Sequence, residues 1–243
     1  MPTEPRPQPS SPHIAAAILA GGKASRLGGR VKGFIQLGDG RTIIERLIGE
    51  VRGAGVSDVI ICANEQESYR NLGLPIIADR RPDAGPLAGI EAVLYQMADS
   101  ADGLLVLASD LARVEAGHLA RLLSVAADHP GRLVSAVRAG EDDGPAPASS
   151  RGPCRSRTNR GRNACRSCRI EPLIAVIPTA LRAVLTDFLD GGGRRVRDFY
   201  ADQDPLLVPL PAEAFTNINT PEDLAALLQK QEQSGPPNGP DRF

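Results

Sequence analysis

The chain has 243 residues, 42% of them hydrophobic, and a formal net charge of −1. That length and apolar content suit one large α/β domain with a sizeable core, and so balanced a charge gives no basic field to advertise DNA or RNA as a partner. Aromatics are only 3%, tryptophan is absent and no apolar run approaches the roughly 20 residues of a membrane span, which excludes single-strand stacking platforms and membrane helices. Four cysteines in so long a chain do not make a disulfide scaffold, so a reducing cytoplasm is the expected setting.

Residues Met1 to Pro12 carry five prolines and no apolar h-region, which reads as a disordered tail and not a secretory signal. The domain then runs over residues 13–231. Ile14–Leu19 is an apolar run that predicts a first strand. It opens into a loop in which Gly21, Gly22, Gly28 and Gly29 lie among Lys23, Arg26 and Lys32. Glycine lets the backbone bend and approach a ligand closely, bare N–H groups cradle anions, and Arg26 and Lys32 add fixed positive charge. A triphosphate fits such a loop. It is not a Walker A motif, because Gly22-Lys23 is followed by Ala24, and the G-x-G-x-x-G fingerprint is absent.

Thr42–Gly53 has helical periodicity, and Val59–Cys62 is the second strand, ending near Asn64, whose amide suits a base, a ribose or a plain turn. A helix-like run follows at Glu65–Asn71, then a strand at Pro75–Ala78. Asp79 stands just past it, as a ligand-facing acid or an ion-pair partner of Arg80 or Arg81. The next turn, with Gly85, Pro86 and Leu87, could hug a flat ligand before a helix over Leu87–Ala98. Strand Leu104–Ala108 precedes Asp110, a candidate Mg²⁺ ligand or else the N-cap of the helix Glu115–Ala127. Leu133–Val137 reads as another strand.

From Glu141 to Arg169 there is no strand or helix period, and seven arginines replace the aliphatics, so a long irregular loop is expected. Cys154, Cys165 and Cys168 in it fall short of the four ligands of a structural zinc site. Leu173–Ile177 and Leu206–Leu210 complete the strands, with a helix over Pro178–Leu189 between them. Asn217 and Asn219 stand before the last helix, Pro221–Gln231, as ligand, second-metal or turn residues; Thr220 is its N-cap and Pro221 fits its first turn. Residues 232–243 read as a second disordered tail. The alternation predicts an α/β fold: a mostly parallel three-layer α/β/α sheet with a Rossmann-like site beyond the carboxyl ends of its strands.

Four motifs in order, Leu19 to Lys32, Asp79 to Gly89, the strand-end Asp110, and Asn217-Ile218-Asn219-Thr220-Pro221-Glu222-Asp223-Leu224, resemble the molybdenum cofactor guanylyltransferases, which have a nucleotide-diphospho-sugar transferase-like fold. The resemblance spans about Ile14 to Gln229 apart from the arginine-rich segment. It implies transfer of GMP from GTP, with Mg²⁺ as cofactor, to the phosphate of molybdenum-molybdopterin, releasing pyrophosphate. It further implies molybdoenzyme chaperones as partners and a cytoplasmic enzyme; a monomer is the expectation. Carried over residue by residue, Leu19, Ala20, Gly21 and Gly22 contact the nucleotide, as do Cys62 or Asn64, Asp79, and Gly85, Pro86 and Leu87. Arg26 and Lys32 hold the phosphates and Asp110 binds both GTP and Mg²⁺, these three forming the catalytic set; Asn217 and Asn219 lie on the acceptor side. The chain departs from the family at Leu27 (usually Met), Val31 (usually Asp), Cys62 (often Asn), Ser109-Asp110-Leu111-Ala112 and Glu171-Pro172. Other readings of the same residues are a cytidylyltransferase on the same cofactor, a sugar-phosphate nucleotidyltransferase, and a non-catalytic nucleotide-binding protein.

Overall fold

The structure is a computed structural model that describes residues 12–21, 26–27, 30–139, 154–155, 170–218, 220 and 222–225. The two tails, most of the arginine-rich segment, Gly22, Asn219 and Pro221 lie outside these residues. In chain order the elements are β1 (Ile14–Leu19), β2 (Arg26–Leu27), β3 (Arg30–Val31), α1 (Ile43–Gly53), β4 (Val59–Cys62), β5 (Ile76–Ile77), α2 (Pro86–Gln96), β6 (Gly103–Ala108), α3 (Ala116–Asp128), β7 (Val134–Arg138), β8 (Cys154–Arg155), β9 (Ile170–Pro178), α4 (Arg182–Asp190), α5 (Val196–Asp202) and β10 (Leu206–Leu210).

Among the described residues eight strands form one sheet in the order β5-β4-β1-β6-β9-β7-β10-β8. β1 lies in parallel between β4 and β6, in register from Ala16 opposite Val59 and Ile14 opposite Gly103. The chain winds outward from β1 through β4 to β5, then returns across to β6. Winding therefore reverses beside β1, which opens a crevice at the carboxyl ends of these strands.

Alternation along β1 explains the three layers. Ala16 and Ile18 join one apolar cluster with Ile44, Leu47 and Leu119 of α1 and α3. Ala15 and Ala17 join the other, with Leu87, Leu185 and Phe199 of α2, α4 and α5. A strand covered on both faces needs apolar residues at every position, which is why the sequence reads as a continuous aliphatic run.

Helix starts follow from local chemistry. Thr42 caps α1 reciprocally: its N–H donates to Glu45 Oε2 at 2.9 Å and its Oγ1 accepts from the Glu45 N–H at 3.3 Å. Gly85 caps α2 at φ 67°, ψ −158°, where a side chain would be strained, and Pro86 takes the first turn. At the far end of the chain Thr220 accepts from the Asp223 N–H at 3.1 Å, while its own N–H donates to Asp223 at 2.9 Å, as its expected capping role requires.

Several elements differ from their sequence reading. The run at Glu65–Asn71 is a 3-10 helix, Gln66–Leu72, closed by Gly73 at φ 64°. Pro178 ends β9, and the expected helix Pro178–Leu189 splits into a 3-10 turn, Thr179–Leu181, and α4. β9 is longer than its aliphatic centre and runs antiparallel to both β6 and β7. α5 has only seven residues, too few for a 3.6-residue period to show. β2 and β3 pair antiparallel inside the glycine loop, and Cys154–Arg155, within the expected irregular loop, pair with β10.

Thr42→Ala removes the α1 cap and is expected to lower stability by about 1 kcal/mol in urea or thermal unfolding. The hydrogen bonds from the Thr42 N–H and hydroxyl hold the Glu45 carboxyl below its ordinary value. The substitution keeps the N–H bond and removes that of the hydroxyl, whose share is present above the ordinary glutamate range and fades as pH falls through the lowered value, so the difference between the two proteins narrows in acid.

Candidate active site

A cavity of about 780 Å³ opens at the carboxyl ends of β1, β4 and β6. Leu19 and Gly21 from the end of β1, Cys62 and Asn64 from the end of β4, and Asp79 after β5 form one wall. Gly85 and Pro86 bring in the start of α2, Ser109 and Asp110 the end of β6, and Lys32 and Asn217 close the other side. Ten of the residues that the sequence singles out thus meet in one place: Leu19, Gly21, Lys32, Cys62, Asn64, Asp79, Gly85, Pro86, Asp110 and Asn217.

Two others do not line it. Ala20 is 1% exposed. Its N–H donates to Cys62 O at 2.8 Å and its carbonyl accepts from Tyr69 Oη at 2.6 Å, so both backbone groups are spent on fixing the exit of β1. Leu87 is fully buried in the core beneath α2. Gly22 and Asn219 are outside the described residues; of Arg26 only the backbone is described, paired across the hairpin to Val31.

Lys32 is a 7% exposed cation, carried on a 3-10 turn that follows β3 directly. Asp110 sits on the turn beyond β6. Burial pushes its carboxyl above the ordinary value, and the Lys32 charge works the other way without cancelling the effect. Asp110 is tied to the segment before the last helix: the Ile218 N–H donates to Asp110 O at 3.3 Å, and Leu111 bridges Asn217. Beside it the Asn217 Oδ1 is buried and accepts no hydrogen bond.

An orphaned amide oxygen in the same cavity as a desolvated carboxylate is a poor arrangement for the protein alone and a suitable one for a hard cation. Mg²⁺ takes one or two protein oxygens and fills its shell with phosphates and waters, so these residues fit it. Among the described residues no group of three or more His, Cys, Asp or Glu could hold a metal without such help.

Asn64 and Asp79 are reciprocal partners. Asn64 Nδ2 donates to Asp79 Oδ2 at 2.8 Å, and the Asp79 N–H donates to Asn64 Oδ1 at 2.9 Å. Asp79 is therefore not held by Arg80 or Arg81, its alternative partners in the sequence. Gly89 lets α2 press close: a Cβ there would lie 3.1 Å from Asp79 Oδ1 and 3.4 Å from Cys62 Cβ. The Cys62 thiol is 3% exposed, and burial, helped by the Asp79 charge, pushes its pKa far up. It lines the cavity as a neutral packing group and is no nucleophile at neutral pH.

Of the opposite wall, sequence reasoning named Glu171-Pro172 only as a departure from the family, and it missed Arg197. Glu171 and Pro172, at the start of β9, reach this end of the sheet because β9 runs backwards. Arg197 of α5 borders both the main cavity and an adjoining groove of about 520 Å³ that Arg194 and Arg195 also line. The signal was present as Arg194-Arg195-Val196-Arg197 after three glycines, but α5 was too short to be seen as an element.

The family model for the MobA-like NTP transferase domain matches residues 16–206. A molybdenum cofactor guanylyltransferase of Shewanella loihica is 32% identical over 228 residues, 92% of this chain and 97% of that protein. One from Ralstonia nicotianae is 31% identical over 221 residues, 90% of this chain and 97% of that one. Among solved structures, molybdopterin-guanine dinucleotide biosynthesis protein A of Archaeoglobus fulgidus has a TM-score of 0.60 at 18% identity, covering 90% of this chain and 99% of that one, a likeness of fold. Both curated relatives carry the name of the family that the four sequence motifs resemble. The winding of the sheet, the cavity at its carboxyl end and these matches agree: the chain belongs to the MobA-like NTP transferase family.

Proposed function

We propose that this nucleotidyltransferase moves GMP from GTP to the phosphate of molybdenum-molybdopterin, giving the guanine dinucleotide form of the cofactor and pyrophosphate. The observation that carries the reading is the meeting, in one cavity, of buried Lys32, desolvated Asp110 and the unpartnered Asn217 Oδ1. Relatives that bear the guanylyltransferase name and align over nearly their whole length support it.

The reaction is an in-line displacement at the α-phosphorus. An oxygen of the acceptor phosphate forms the new bond, and the bond from the α-phosphorus to the bridging oxygen breaks with its electron pair leaving on pyrophosphate. The acceptor phosphate is already ionised at neutral pH, so no strong general base is needed, and positioning and charge compensation do the rest. Lys32 meets the negative charge that grows on the departing oxygens, the task that the resemblance also gives to Arg26. Asp110 and Asn217 would hold Mg²⁺, which supplies charge to the phosphate oxygens. Asp79 keeps carboxylate capacity beyond its bond to Asn64, and guanine presents adjacent N–H donors that a carboxylate can accept, where cytosine presents a single amino group. The groove of Arg195 and Arg197 lies where an anionic acceptor would approach. A buried free thiol at Cys62 accords with a cytoplasmic setting.

The direct test is pyrophosphate release with GTP, Mg²⁺ and molybdenum-loaded pterin, alongside calorimetry with GTP and CTP. GTP should bind the more tightly and yield product; tight CTP binding with no GTP turnover would transfer the assignment to the cytidylyl reaction.

Lys32→Ala and Asp110→Ala should each lower turnover by about 10²–10³ while the circular dichroism stays that of the folded protein. Asp110→Asn separates chemistry from folding. Ionising Asp110 costs the fold, because its carboxyl is raised, so the parent loses stability as pH climbs from the ordinary aspartate value to the raised one. Without ligand the Asn variant should melt higher at neutral pH, with the gap closing in acid, and it should lose the rise in melting temperature that Mg²⁺ and GTP give the parent.

A further inference from the structure

Arg80 and Arg81 lie directly after Asp79 on the segment that carries the chain from β5 over the cavity to α2. Residues 78–84 belong to no strand or helix that would fix their course. The stretch up to α2 also holds two uncommon backbone conformations, Asp83 at φ 54° and Gly85 at φ 67°. A segment of this kind keeps one shape only where its surroundings enforce it.

The enforcement comes from outside the cavity. Arg81 forks onto Glu91 of α2, Nε to Oε2 at 2.8 Å and Nη2 to Oε1 at 3.0 Å. Its third nitrogen bonds Asp190 at the end of α4. Glu91 is only 1% exposed and also accepts from Thr186 Oγ1 of α4 at 3.0 Å. One turn along α2, the Tyr95 ring lies 3.7 Å from the Arg80 guanidinium carbon and 5.0 Å from that of Arg182, and its hydroxyl is 3.2 Å from Thr186 Oγ1. Two ladders at helical spacing, Glu91 and Tyr95 on α2 and Arg182, Thr186 and Asp190 on α4, thus hold the two consecutive arginines.

A buried carboxylate bound bidentately is costly to desolvate, and replacing such a pair by apolar groups is often neutral or stabilising. Stability alone is therefore a weak reason for Glu91 and Arg81. Resting on the nucleotide reading above, we propose that Arg81 and Glu91 are positioning residues for the nucleotide: the fork pins the segment two residues past Asp79 and so sets the Asp79 carboxylate and the Gly85 turn before GTP arrives. Neither touches the ligand. A guanidinium fork gives direction as well as charge, which a lysine ammonium cannot.

The test is the paired variant Arg81→Leu/Glu91→Leu, which leaves no lone buried charge, with Arg81→Lys beside it. Three quantities are read: melting temperature, amide hydrogen exchange in the ligand-free protein, and affinity for GTP in magnesium buffer. The paired variant should melt close to the parent, yet exchange at residues 79–85 should quicken and GTP affinity fall about tenfold each, with KM for GTP rising and kcat little moved. Parental exchange at 79–85 together with parental GTP affinity would overturn the proposal, as would loosening spread evenly over the sheet. Should the paired variant not fold, Arg81→Lys decides by the same two measures. If the parent itself binds no GTP, the functional reading fails, while the exchange data still judge the clamp.

Discussion

Two opposite charges withdrawn from water at the open end of one sheet set the character of this protein. Lys32 is 7% exposed and Asp110 lies on the turn beyond β6, which is buried from Gly103 to Leu107. Burial raises the Asp110 carboxyl even with the lysine's help. A fold built only for stability would place apolar groups here. On the function proposed above, the guest brings both a cation and several anionic oxygens, the charge pattern of a metal nucleoside triphosphate. The sheet serves this end: β1 and β6 are parallel neighbours, and their carboxyl ends deliver Leu19 and Asp110 to the same cavity without distortion of either strand.

Much of this was legible in the chain, and the rest was not for definite reasons. Val59–Cys62 and Leu206–Leu210 read to the residue because a largely buried strand is a short aliphatic run, here cut off by Asp58 in the first case and by Pro205 and Pro211 in the second. Asp79, Asn64 and Asp110 could be picked out because each follows such a run. Their partners could not be. Fifteen positions separate Asn64 from Asp79, and nothing in composition says that an amide and an acid will pair across adjacent strand ends. The same blindness hid the destination of Arg81, which finds Glu91 10 positions on and Asp190 109 positions on. Strand direction was also out of reach. β9 has the composition of its parallel neighbours, and only its pairing with β6 and β7 reveals that it is reversed. The unpartnered oxygen of Asn217 is a property of packing and has no sequence signature.

The reversal of β9 divides labour in the molecule. The wall that carries Leu19, Asn64 and Asp110 is assembled from the exits of the parallel strands β1, β4 and β6, held in register with one another. The facing wall begins with Glu171 and Pro172, at the point where a strand enters instead of leaving. Among the described residues the stretch before that point meets the sheet at its far edge, where Cys154–Arg155 pair with β10, and again at Ile170, away from the exits of β1 and β4. One half of the pocket is thereby locked by the lattice of the sheet, and the other is open to revision. A lineage can exchange the molecule it modifies while keeping the source of the group it transfers.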